Sequence, residues 1–435
     1  MRVDGKSHPI TCQFLLTLTF KQAKPSPMIL RALGNNWPLF FGIVLVMIGN
    51  GLQGTLLGVR ASVEGFDTIV IGALMSCYFL GFLGGFYYVP GFIKSVGHIR
   101  VFAALASLAS TAVLLHGVFV DELVWAVGRF VTGFCYAGLY IVMESWLNQA
   151  ATNKTRGGIL ALYLLSSYGG LIIGQFMLNI TSPEKIELFI LTSIIVSLAL
   201  LPISLSSRKA PEIEDTESIS FRFLYRTSPL GIVGMFLNGI CGGVIFGLGP
   251  VYATQSGMSV AQISFFMTSF LVGGMVFPMV IGWISDYINR RLVLILTAAI
   301  VALLGVFIYM LGTTNFEILF LLTFLLGGFN FSIYGLSLAH TNDYLKPSQM
   351  LSASSALILL NGMGACFGPF LISTVMRAYG DNSFYLSFVF IYGALFLFGL
   401  YRMLRREAIA TEDQGDFVIL PDSASPIAPI ITEDE

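Results

Sequence analysis

The stretch RFVTGFCYAGLYIVME, residues 129–144, holds the only two charges that lie well inside a hydrophobic segment of this chain. Five of its residues follow one another at steps of four, three, four and four, which places them on one face of an α-helix. They are Arg129, Gly133, Tyr136, Tyr140 and Glu144. A charge in the hydrocarbon region costs about 2.5–3.5 kcal/mol and usually faces a bundle interior or a wet cavity. Two charges about 22 Å apart on one helix face, at about 1.5 Å per residue, predict the wall of a polar pathway.

The composition is typical of a chain that crosses a membrane many times. Of 435 residues, 56% are hydrophobic and only 11% are charged, whereas an ordinary soluble domain carries about 25% charged residues. The 46 glycines and 37 phenylalanines fit membrane helices, which tolerate glycine and use it for close packing. We therefore predict an all-α polytopic membrane protein.

The sequence shows no motif for a cofactor, a metal or an enzyme active site. No Walker A, HExxH or GxSxG motif is present. The cysteines are scattered without metal-ligand spacing and are interpreted as packed thiols. They are Cys12, Cys77, Cys135, Cys241 and Cys366. We expect no enzyme activity, no cofactor and no ATP-driven step within this chain.

Twelve hydrophobic segments near the roughly 20 residues that a bilayer requires follow a short N-terminal stretch. They cover about 37–59, 68–88, 101–120, 123–147, 158–180, 186–205, 230–253, 260–281, 292–312, 316–340, 350–376 and 383–403. The predicted organisation is an N-terminal extension at 1–29, a six-helix bundle at 30–205, a polar cytoplasmic linker at 206–229, a second six-helix bundle at 230–405 and an acidic tail at 406–435. We expect the extension and the tail to be disordered.

The distribution of basic residues predicts the orientation in the membrane. With both termini inside, 19 of the 23 Lys and Arg residues lie on the inner side and three on the outer side. The three are Arg60, Lys185 and Arg377. Because inner loops carry the excess of basic residues, both termini are predicted to be cytoplasmic.

The two halves of the chain resemble each other in sequence. The motif NGLQG at 50–54 recurs as NGICG at 238–242, an offset of 188, and the loop at 94–98 aligns with 286–290 at an offset of 192. Six spans separate the equivalent positions, so the repeats have the same topology in the membrane. Parallel six-helix repeats with a site at their interface near the midplane are an architecture of secondary transporters.

The loop GWISDYINRR at 282–291 resembles the loop signature of the major facilitator superfamily. That signature has Gly, three residues, Asp, then Arg, a variable residue, Gly and two basic residues, and four positions match it: Gly282, Asp286, Arg290 and Arg291. Asn289 stands where Gly is usual, and Asn tolerates the left-handed conformation that a tight turn requires. An acid and two bases at a short turn are expected to hold one conformation of a two-domain transporter.

The first-half copy of this loop departs from the signature. Pro90 replaces the Gly and Lys94 replaces the Asp, which leaves Gly97, His98 and Arg100. Any conformational lock formed there must differ from the family pattern.

Arg129 and Gly133 are similar to the fourth-helix signature of the same superfamily, where the Arg is associated with proton coupling in many antiporters. Two interpretations of Arg129 stay open. It either takes part in transport, by binding an anionic substrate or perturbing a carboxylate, or pins neighbouring helices through backbone carbonyls.

Glu144 begins the sequence ESWLN at 144–148, which resembles an uncharacterised bacterial branch of the superfamily. Two roles are open for its carboxylate. It acts as a proton carrier, or it forms a cytoplasmic gate or loop salt bridge with a partner such as Arg156.

A set of polar residues in the spans forms the predicted substrate and coupling site. First and seventh helices usually border the cavity in this superfamily, which favours Asn50, Gln53 and Asn238; hydrogen bonds between helices are the structural alternative. The full set is Arg129, Glu144, Asn50, Gln53, Tyr136, Tyr140, Asn238 and Gln175.

The resemblance implies a secondary transporter that moves a small solute by alternating access, with proton coupling as a hypothesis. We expect a monomer in a bacterial inner membrane that contacts the lipid bilayer, a small-molecule substrate and protons, and no nucleic acid. Export of a drug, metabolite or siderophore is the alternative to uptake. A sensor or assembly partner without flux is the alternative from another class.

Overall fold

The computed structural model describes residues 27–152, 155–204, 219–312, 315–405, 409–415 and 417, with side chains from residue 36 onward. Within these residues the regular elements are helical. They are α1 (Pro27–Val63), α2 (Thr68–Val96), α3 (His98–Val118), α4 (Glu122–Ala150), α5 (Arg156–Met177), α6 (Glu187–Leu198), α7 (Leu200–Ser204), α8 (Phe221–Thr227), α9 (Pro229–Gln255), α10 (Val260–Tyr287), α11 (Arg290–Leu311), α12 (Phe316–Asn342), α13 (Pro347–Tyr379) and α14 (Ser383–Arg405). Twelve helical stretches among them are long and apolar enough to cross a membrane, which confirms the predicted spans.

The sixth span differs from the continuous helix predicted at 186–205. It is divided into α6 and α7, and Ala199 lies between them. Pro202 has no N–H to donate to the carbonyl of Leu198, so the hydrogen-bond ladder is interrupted at this point. The short α8 lies in the predicted linker, where the hydroxyl of Ser220 accepts a hydrogen bond from the N–H of Phe223.

Glycines bring two helices of the first half into backbone contact. A Cβ atom at Gly81 of α2 would overlap the carbonyl oxygen of Phe130 in α4, and one at Gly133 of α4 would overlap the carbonyl oxygen of Tyr78 in α2. Gly133 therefore belongs to the α2–α4 contact. The stripe predicted on α4 is not a continuous wall of a polar pathway, because α2 covers it at Gly133, the position next to Arg129.

The second half repeats this backbone contact. A Cβ atom at Gly273 of α10 would overlap the carbonyl oxygen of Phe324, and one at Gly327 of α12 would lie 2.6 Å from the carbonyl oxygen of Phe270. These four positions follow those of the first half at offsets of 192 and 194. The internal repeat is thus also a repeat of helix packing.

The two halves meet near one end of the bundle. We call the side of the membrane that holds the start of α1, helix α8 and the tail the proximal side, and the opposite side the distal side. At the distal side Arg377 of α13 forms an ion pair with Asp67 (Nε to Oδ2, 3.0 Å), and Gln255 donates to the hydroxyl of Thr68 at 3.1 Å. These contacts join the first half to the second.

Deeper contacts between α5 and α10 also lie toward the distal side. The hydroxyl of Ser264 in α10 donates to the carbonyl oxygen of Gln175 at 2.7 Å, and the side-chain amide of Asn179 donates to the Ser264 hydroxyl at 2.9 Å. Ser264 is buried, whereas the Asp67–Arg377 pair is exposed and contributes at most about 1 kcal/mol. The conformation is therefore closed at the distal side mainly by buried contacts.

Part of the tail is ordered, unlike the disorder predicted for 406–435. Residues 409–415 and 417 lie against the proximal ends of the second-half helices, with a 3₁₀ turn at Thr411–Asp413. Backbone N–H groups of the tail donate to two carboxylates of the bundle, a pairing that composition does not indicate. The N-terminal residues 1–26, residues 205–218 of the linker and residues 418–435 lie outside the described residues. Helix α1 already begins at Pro27, inside the extension predicted at 1–29.

Candidate functional site

A cavity of about 130 Å³ lies between the two halves. Its wall is formed by α1, α2, α4 and α5 of the first half and by α9, α10 and α13 of the second. The polar side chains of the wall are Asn50, Thr55, Tyr78, Arg129, Tyr140, Gln175, Asn238 and Asn361, and the aromatic ones that complete it are Phe79, Phe82, Phe86 and Phe246. The site is thus an aromatic chamber with one cation.

Arg129 brings its charge to the cavity without a carboxylate partner in the part of the chain that the structure describes. Its Nη2 atom lies 3.4 Å from the sulfur of Met75, and its guanidinium carbon lies 4.4 Å from the centre of the Tyr78 ring. Its Nε atom has no hydrogen-bond partner, and the side chain is only 4% exposed. Among the described residues no carboxylate oxygen comes within 4.0 Å of it. A ring face and a weak sulfur acceptor therefore stabilise this cation without neutralising it.

A chain of hydrogen bonds connects Tyr78 to the other first-half helices. Its hydroxyl donates to Asn50 Oδ1 at 3.1 Å, and the amide of Asn50 donates to the Tyr140 hydroxyl at 2.7 Å. The chain joins α2, α1 and α4. Tyr78 also lies against Arg129. A movement of Arg129 can therefore alter the hydrogen bonds of Asn50 and Tyr140 through the Tyr78 side chain.

Gln175 is both a wall residue and a link between helices. Its Oε1 accepts from the hydroxyl of Thr55 at 2.6 Å, and its Nε2 donates to the carbonyl oxygen of Gly51 at 3.2 Å. Both partners belong to α1. The polar groups of Gln175 are therefore satisfied within the protein and position α5 on α1.

Asn238 lies on the second-half wall opposite these groups. The hydroxyl of Tyr392 donates to Asn330 Oδ1 at 2.6 Å, and Asn238 Oδ1 lies 3.3 Å from the same hydroxyl oxygen, where it shares that proton at most weakly. The Nδ2 of Asn238 is buried and has no hydrogen-bond partner among the residues that the structure describes. An unsatisfied buried donor is costly, which makes Asn238 a candidate for a further hydrogen bond when the cavity is occupied.

The structure brings five of the predicted site residues to one cavity. They are Asn50, Arg129, Tyr140, Gln175 and Asn238. Gln53 is buried outside the cavity wall, and within the described part of the chain neither of its side-chain polar atoms has a hydrogen-bond partner. The α1 wall is formed by residues 50, 51, 54 and 55, and Gln53 lies about 130° around the helix from the centre of that stripe at 100° per residue. The expectation that it lines the cavity is wrong.

Tyr136 also lies outside the cavity wall, although it shares a helix face with Arg129. Its ring contacts that of Tyr78 at 6.4 Å between centres, and its hydroxyl oxygen lies 3.2 Å from where a Cβ atom at Gly49 would be. The side chain therefore fills the space between α4 and α1. A shared helix face does not by itself place a residue at the cavity.

Glu144 is buried at the proximal end of α4, away from the cavity wall. Its carboxylate accepts a hydrogen bond from the hydroxyl of Tyr163 in α5. Counted along the helix, it lies about 22 Å from Arg129. Arg129 and Glu144 therefore belong to separate sites, one at the cavity and one between α4 and α5.

The aromatic wall was not part of the predicted site, although the sequence carries a signal for it. Tyr78, Phe82 and Phe86 follow each other at steps of four and share one face of α2. This spacing is typical of a helix packed in an apolar core as well. What distinguishes these rings is the gap opposite them, where Gly239, Gly242 and Gly243 of α9 have no side chains.

The second-half loop signature forms an ion-pair cluster. Arg290 is buried and binds Asp286 (Nη2 to Oδ1, 2.9 Å) and Asp343, the residue directly after α12 (Nη1 to Oδ1, 2.5 Å). Burial raises the pKa of the Asp343 carboxyl, against the opposing effects of Arg290 and of the N–H of Gly415. The last predicted residue of this loop, Arg291, follows Arg290 as the second residue of α11.

Turn geometry differs between the two copies of the loop. Gly97 has φ +88°, which a residue with a side chain rarely adopts, whereas Asn289 has φ −51°. Asn289 therefore does not use the left-handed conformation that the sequence suggested for it. Arg100 is exposed, and His98 stacks on Trp146 with ring centres 6.0 Å apart.

Comparisons with known proteins agree with this architecture. An uncharacterised MFS-type transporter, YcaD, of Escherichia fergusonii is 28% identical over 377 residues, covering 86% of this chain and 96% of the relative, and an uncharacterised MFS-type transporter of Yersinia pestis is 29% identical over 373 residues, covering 85% and 94%. Two solved structures share the fold. The nucleoside transporter NupG matches with a TM-score of 0.69 at 13% identity, over 85% of this chain and 98% of that one. A bacterial homologue of the human lysosomal transporter Spinster, inward-facing and occupied, matches with a TM-score of 0.68 at 12% identity, over 88% and 98%.

The sequence pattern that defines the Major Facilitator Superfamily matches residues 39–260 and 231–421, which together span most of the chain and both six-helix halves. The chain therefore belongs to the Major Facilitator Superfamily of membrane transporters.

Proposed function

We propose that this protein is a secondary transporter that moves a small organic anion across a bacterial inner membrane, and that Arg129 binds the anionic group. The observation that carries the proposal is the cation in the cavity wall with no carboxylate partner among the described residues. A buried charge of this kind gains most from a partner that arrives with the substrate. At about 4 Å and an effective dielectric constant near 20, such a pair attracts by about 4 kcal/mol.

The rest of the cavity wall favours a substrate whose remaining part, apart from the anionic group, is apolar. Phe79, Phe82, Phe86 and Phe246 dominate the chamber, and its volume of about 130 Å³ is close to the roughly 150 Å³ of a cavity that admits benzene. The unsatisfied Nδ2 of Asn238 supplies a donor for a second polar group. We therefore propose a carboxylic acid with a body near the size of a single ring.

Alternating access is supported by the repeat and by the closed distal side. Opening that side requires the α5–α10 contacts at Ser264 and the ion pair between Asp67 and Arg377 to separate. With both termini in the cytoplasm, as the basic residues predict, the present conformation is the one closed to the outside. The rocking bodies are the proposed bundles at 30–205 and 230–405, joined by the linker.

Proton coupling is proposed at a second place in the first half. Glu144 is buried within the membrane span, and the Tyr163 hydroxyl donates to it. A carboxyl group inside a membrane span is a typical member of a proton relay, because it can hold and release one proton. One charge that crosses about 100 mV releases about 2.3 kcal/mol, which suffices for a nearly fifty-fold gradient.

The test is a thermal-stability screen of purified full-length protein against one-ring carboxylic acids and their neutral amides, followed by flux in proteoliposomes. A ligand at about 100 times its Kd adds about 2.7 kcal/mol to the native state. We expect an acid, and not its amide, to stabilise the protein, and Arg129→Gln to abolish the effect. Arg60→Gln removes a cation that lies outside the cavity wall and serves as the matched control.

Equal stabilisation by acid and amide, or full retention in Arg129→Gln, would contradict the anion site. Saturable flux of the same acid distinguishes a transporter from a sensor that binds without transport. Vesicles with right-side-out and inside-out protein, loaded on one side only, distinguish uptake from export.

A further inference from the structure

The part of the tail beyond the last span is held on the same cluster that forms the loop signature. We call residues 409–415 and 417 the tail segment. Its carbonyl oxygens accept from Asn289 Nδ2 (at Ile409, 3.3 Å) and from Arg290 Nη2 (at Gly415, 2.6 Å). Its N–H groups donate to Asp343 Oδ1 (from Gly415, 3.2 Å) and to Asp286 Oδ1 (from Phe417, 3.0 Å). The backbone of the tail segment thus forms hydrogen bonds with both the acidic and the basic side chains of the cluster.

Phe417 adds a shaped apolar contact to these polar ones. Its ring lies where a Cβ atom at Gly282 of α10 would be, and its Cζ lies 2.5 Å from where a Cβ atom at Gly335 of α12 would be. Two glycines on neighbouring helices therefore create the groove that the ring fills. Because the shape of the groove matches the ring, we expect this contact to require an aromatic side chain at position 417.

Ideal helical register assigns the groove to the side of α10 that faces the first half. Gly282 is 18 residues after Ser264, which is about five helical turns, so the two residues share one face of α10. Ser264 uses that face to contact Gln175 and Asn179 at the distal end of α5. Phe417 therefore occupies, at the proximal end, the face of α10 that packs against α5 at the distal end.

We propose that the tail segment is an intramolecular wedge, which competes with the proximal end of α5 for this face of α10 and so favours the conformation closed at the distal side. Closure of the proximal side brings α5 toward Gly282 and requires the Phe417 ring to leave. The tail thereby sets the ratio of the two conformations. This inference rests on the alternating access proposed above and concerns its regulation.

The test measures conformation directly in the full-length chain, with native cysteines replaced and spin labels placed in pairs. A distal pair at Val63→Cys and Tyr379→Cys and a proximal pair at Ser95→Cys and Ser348→Cys each join exposed positions in opposite halves. Pulsed electron resonance then gives the distance distribution of each pair. All measurements are made without substrate, so their outcome does not depend on what the cavity binds.

Phe417→Ala and a chain ending at residue 408 are expected to raise the distal-open population roughly tenfold, because several contacts that exist in one state are lost. In these variants the distal distances lengthen and the proximal distances shorten. Phe307→Ala, which removes an exposed ring of α11, is the matched control and should leave both distributions unchanged. A synthetic peptide of residues 409–420, IATEDQGDFVIL, should restore the parent distributions in the shortened chain.

Unchanged distributions in both Phe417→Ala and the shortened chain would overturn the wedge. Failure of the peptide to act on a shortened chain that has shifted would also overturn it, since the shift would then reflect damage to the bundle. Loss of anion binding in the earlier screen has no bearing on either outcome, which keeps the two proposals separable.

Discussion

The guanidinium carbon of Arg129 lies 4.4 Å from the centre of the Tyr78 ring, and this ring face is the principal contact of the cation in the cavity wall. The same tyrosine donates its hydroxyl to Asn50. A positive charge in the membrane is thus tied to the polar network of α1 and α4 through one side chain, while its charge stays available to a ligand.

Replacing Tyr78 tests the two contacts separately. Tyr78→Phe keeps the ring and loses the hydrogen bond to Asn50, whereas Tyr78→Leu loses the ring as well. A desolvated cation–π contact contributes about 2 kcal/mol, so Leu should lower the Tm of the purified protein clearly more than Phe does. Equal losses of Tm would show that the ring face does not hold Arg129.

Gly133→Ala should destabilise the first half strongly. The added Cβ would overlap the carbonyl oxygen of Tyr78, and relief requires α2 and α4 to separate, at a cost of about 1–3 kcal/mol or more. Gly393→Ala is the matched control, because nothing lies within 4 Å of its Cβ position. In a helix that change should be neutral or slightly stabilising. Thermal unfolding in detergent compares the two variants, and similar Tm values would contradict the contact.

Glu144→Gln should uncouple transport from protons without abolishing exchange. The amide keeps the size of the side chain and can still accept from the Tyr163 hydroxyl, but it carries no exchangeable charge. Proteoliposomes should therefore retain counter-flow of substrate and lose accumulation driven by a pH gradient. If the variant accumulates substrate as the parent does, or if the parent ignores both the gradient and an uncoupler, Glu144 is not the proton site.

Acidification should release the tail segment. The N–H of Gly415 donates to Asp343, and this hydrogen bond favours the charged form of the carboxyl. The tail therefore binds the charged form more tightly, so its affinity is full above the pKa of Asp343 and falls as the pH drops through it. Because burial raises that pKa overall, despite Arg290, release should begin at a higher pH than for an exposed Asp.

Hydrogen exchange of the Gly415 and Phe417 amides, corrected for the intrinsic effect of pH, measures this release. In Asp343→Asn the protection of Gly415 should be weaker and should lose its dependence on pH. Asp286 and Arg290 face the same carboxyl and stay in place in that variant. Protection that is unchanged from neutral to acidic pH in the parent would contradict the role of Asp343.

Much of the fold follows from patterns in the sequence. Spans are set by uninterrupted apolar length, and the repeat is set by glycines at constant offsets, of which Gly81 and Gly273 are structural equivalents in the helix packing. The break in the sixth span could also have been found, since Pro202 removes one donor of the helix ladder.

The site could be predicted only in part, because a helix face does not specify what covers it. Arg129 and Tyr140 reach the cavity, whereas Tyr136 between them is covered by α1. The polarity of Gln53 and its place on α1 predict a position in the cavity wall, but its angle around α1 excludes it. The acidic composition of the tail predicts disorder. Its backbone contacts to Asp286 and Asp343 join positions too distant in sequence for any local pattern to indicate them.

The paired glycine contacts between α2 and α4 and between α10 and α12 have a mechanical consequence. Where the backbones of two helices are in contact, no side chain can change rotamer to allow the helices to shift, so each helix pair moves as one rigid unit. The movement between conformations must then occur between these rigid helix pairs, at hydroxyl and amide contacts such as those of Ser264. Substitutions within a glycine-mediated helix pair should therefore mainly change the stability of the folded protein. Substitutions at the contacts between these pairs should mainly change the rate of transport.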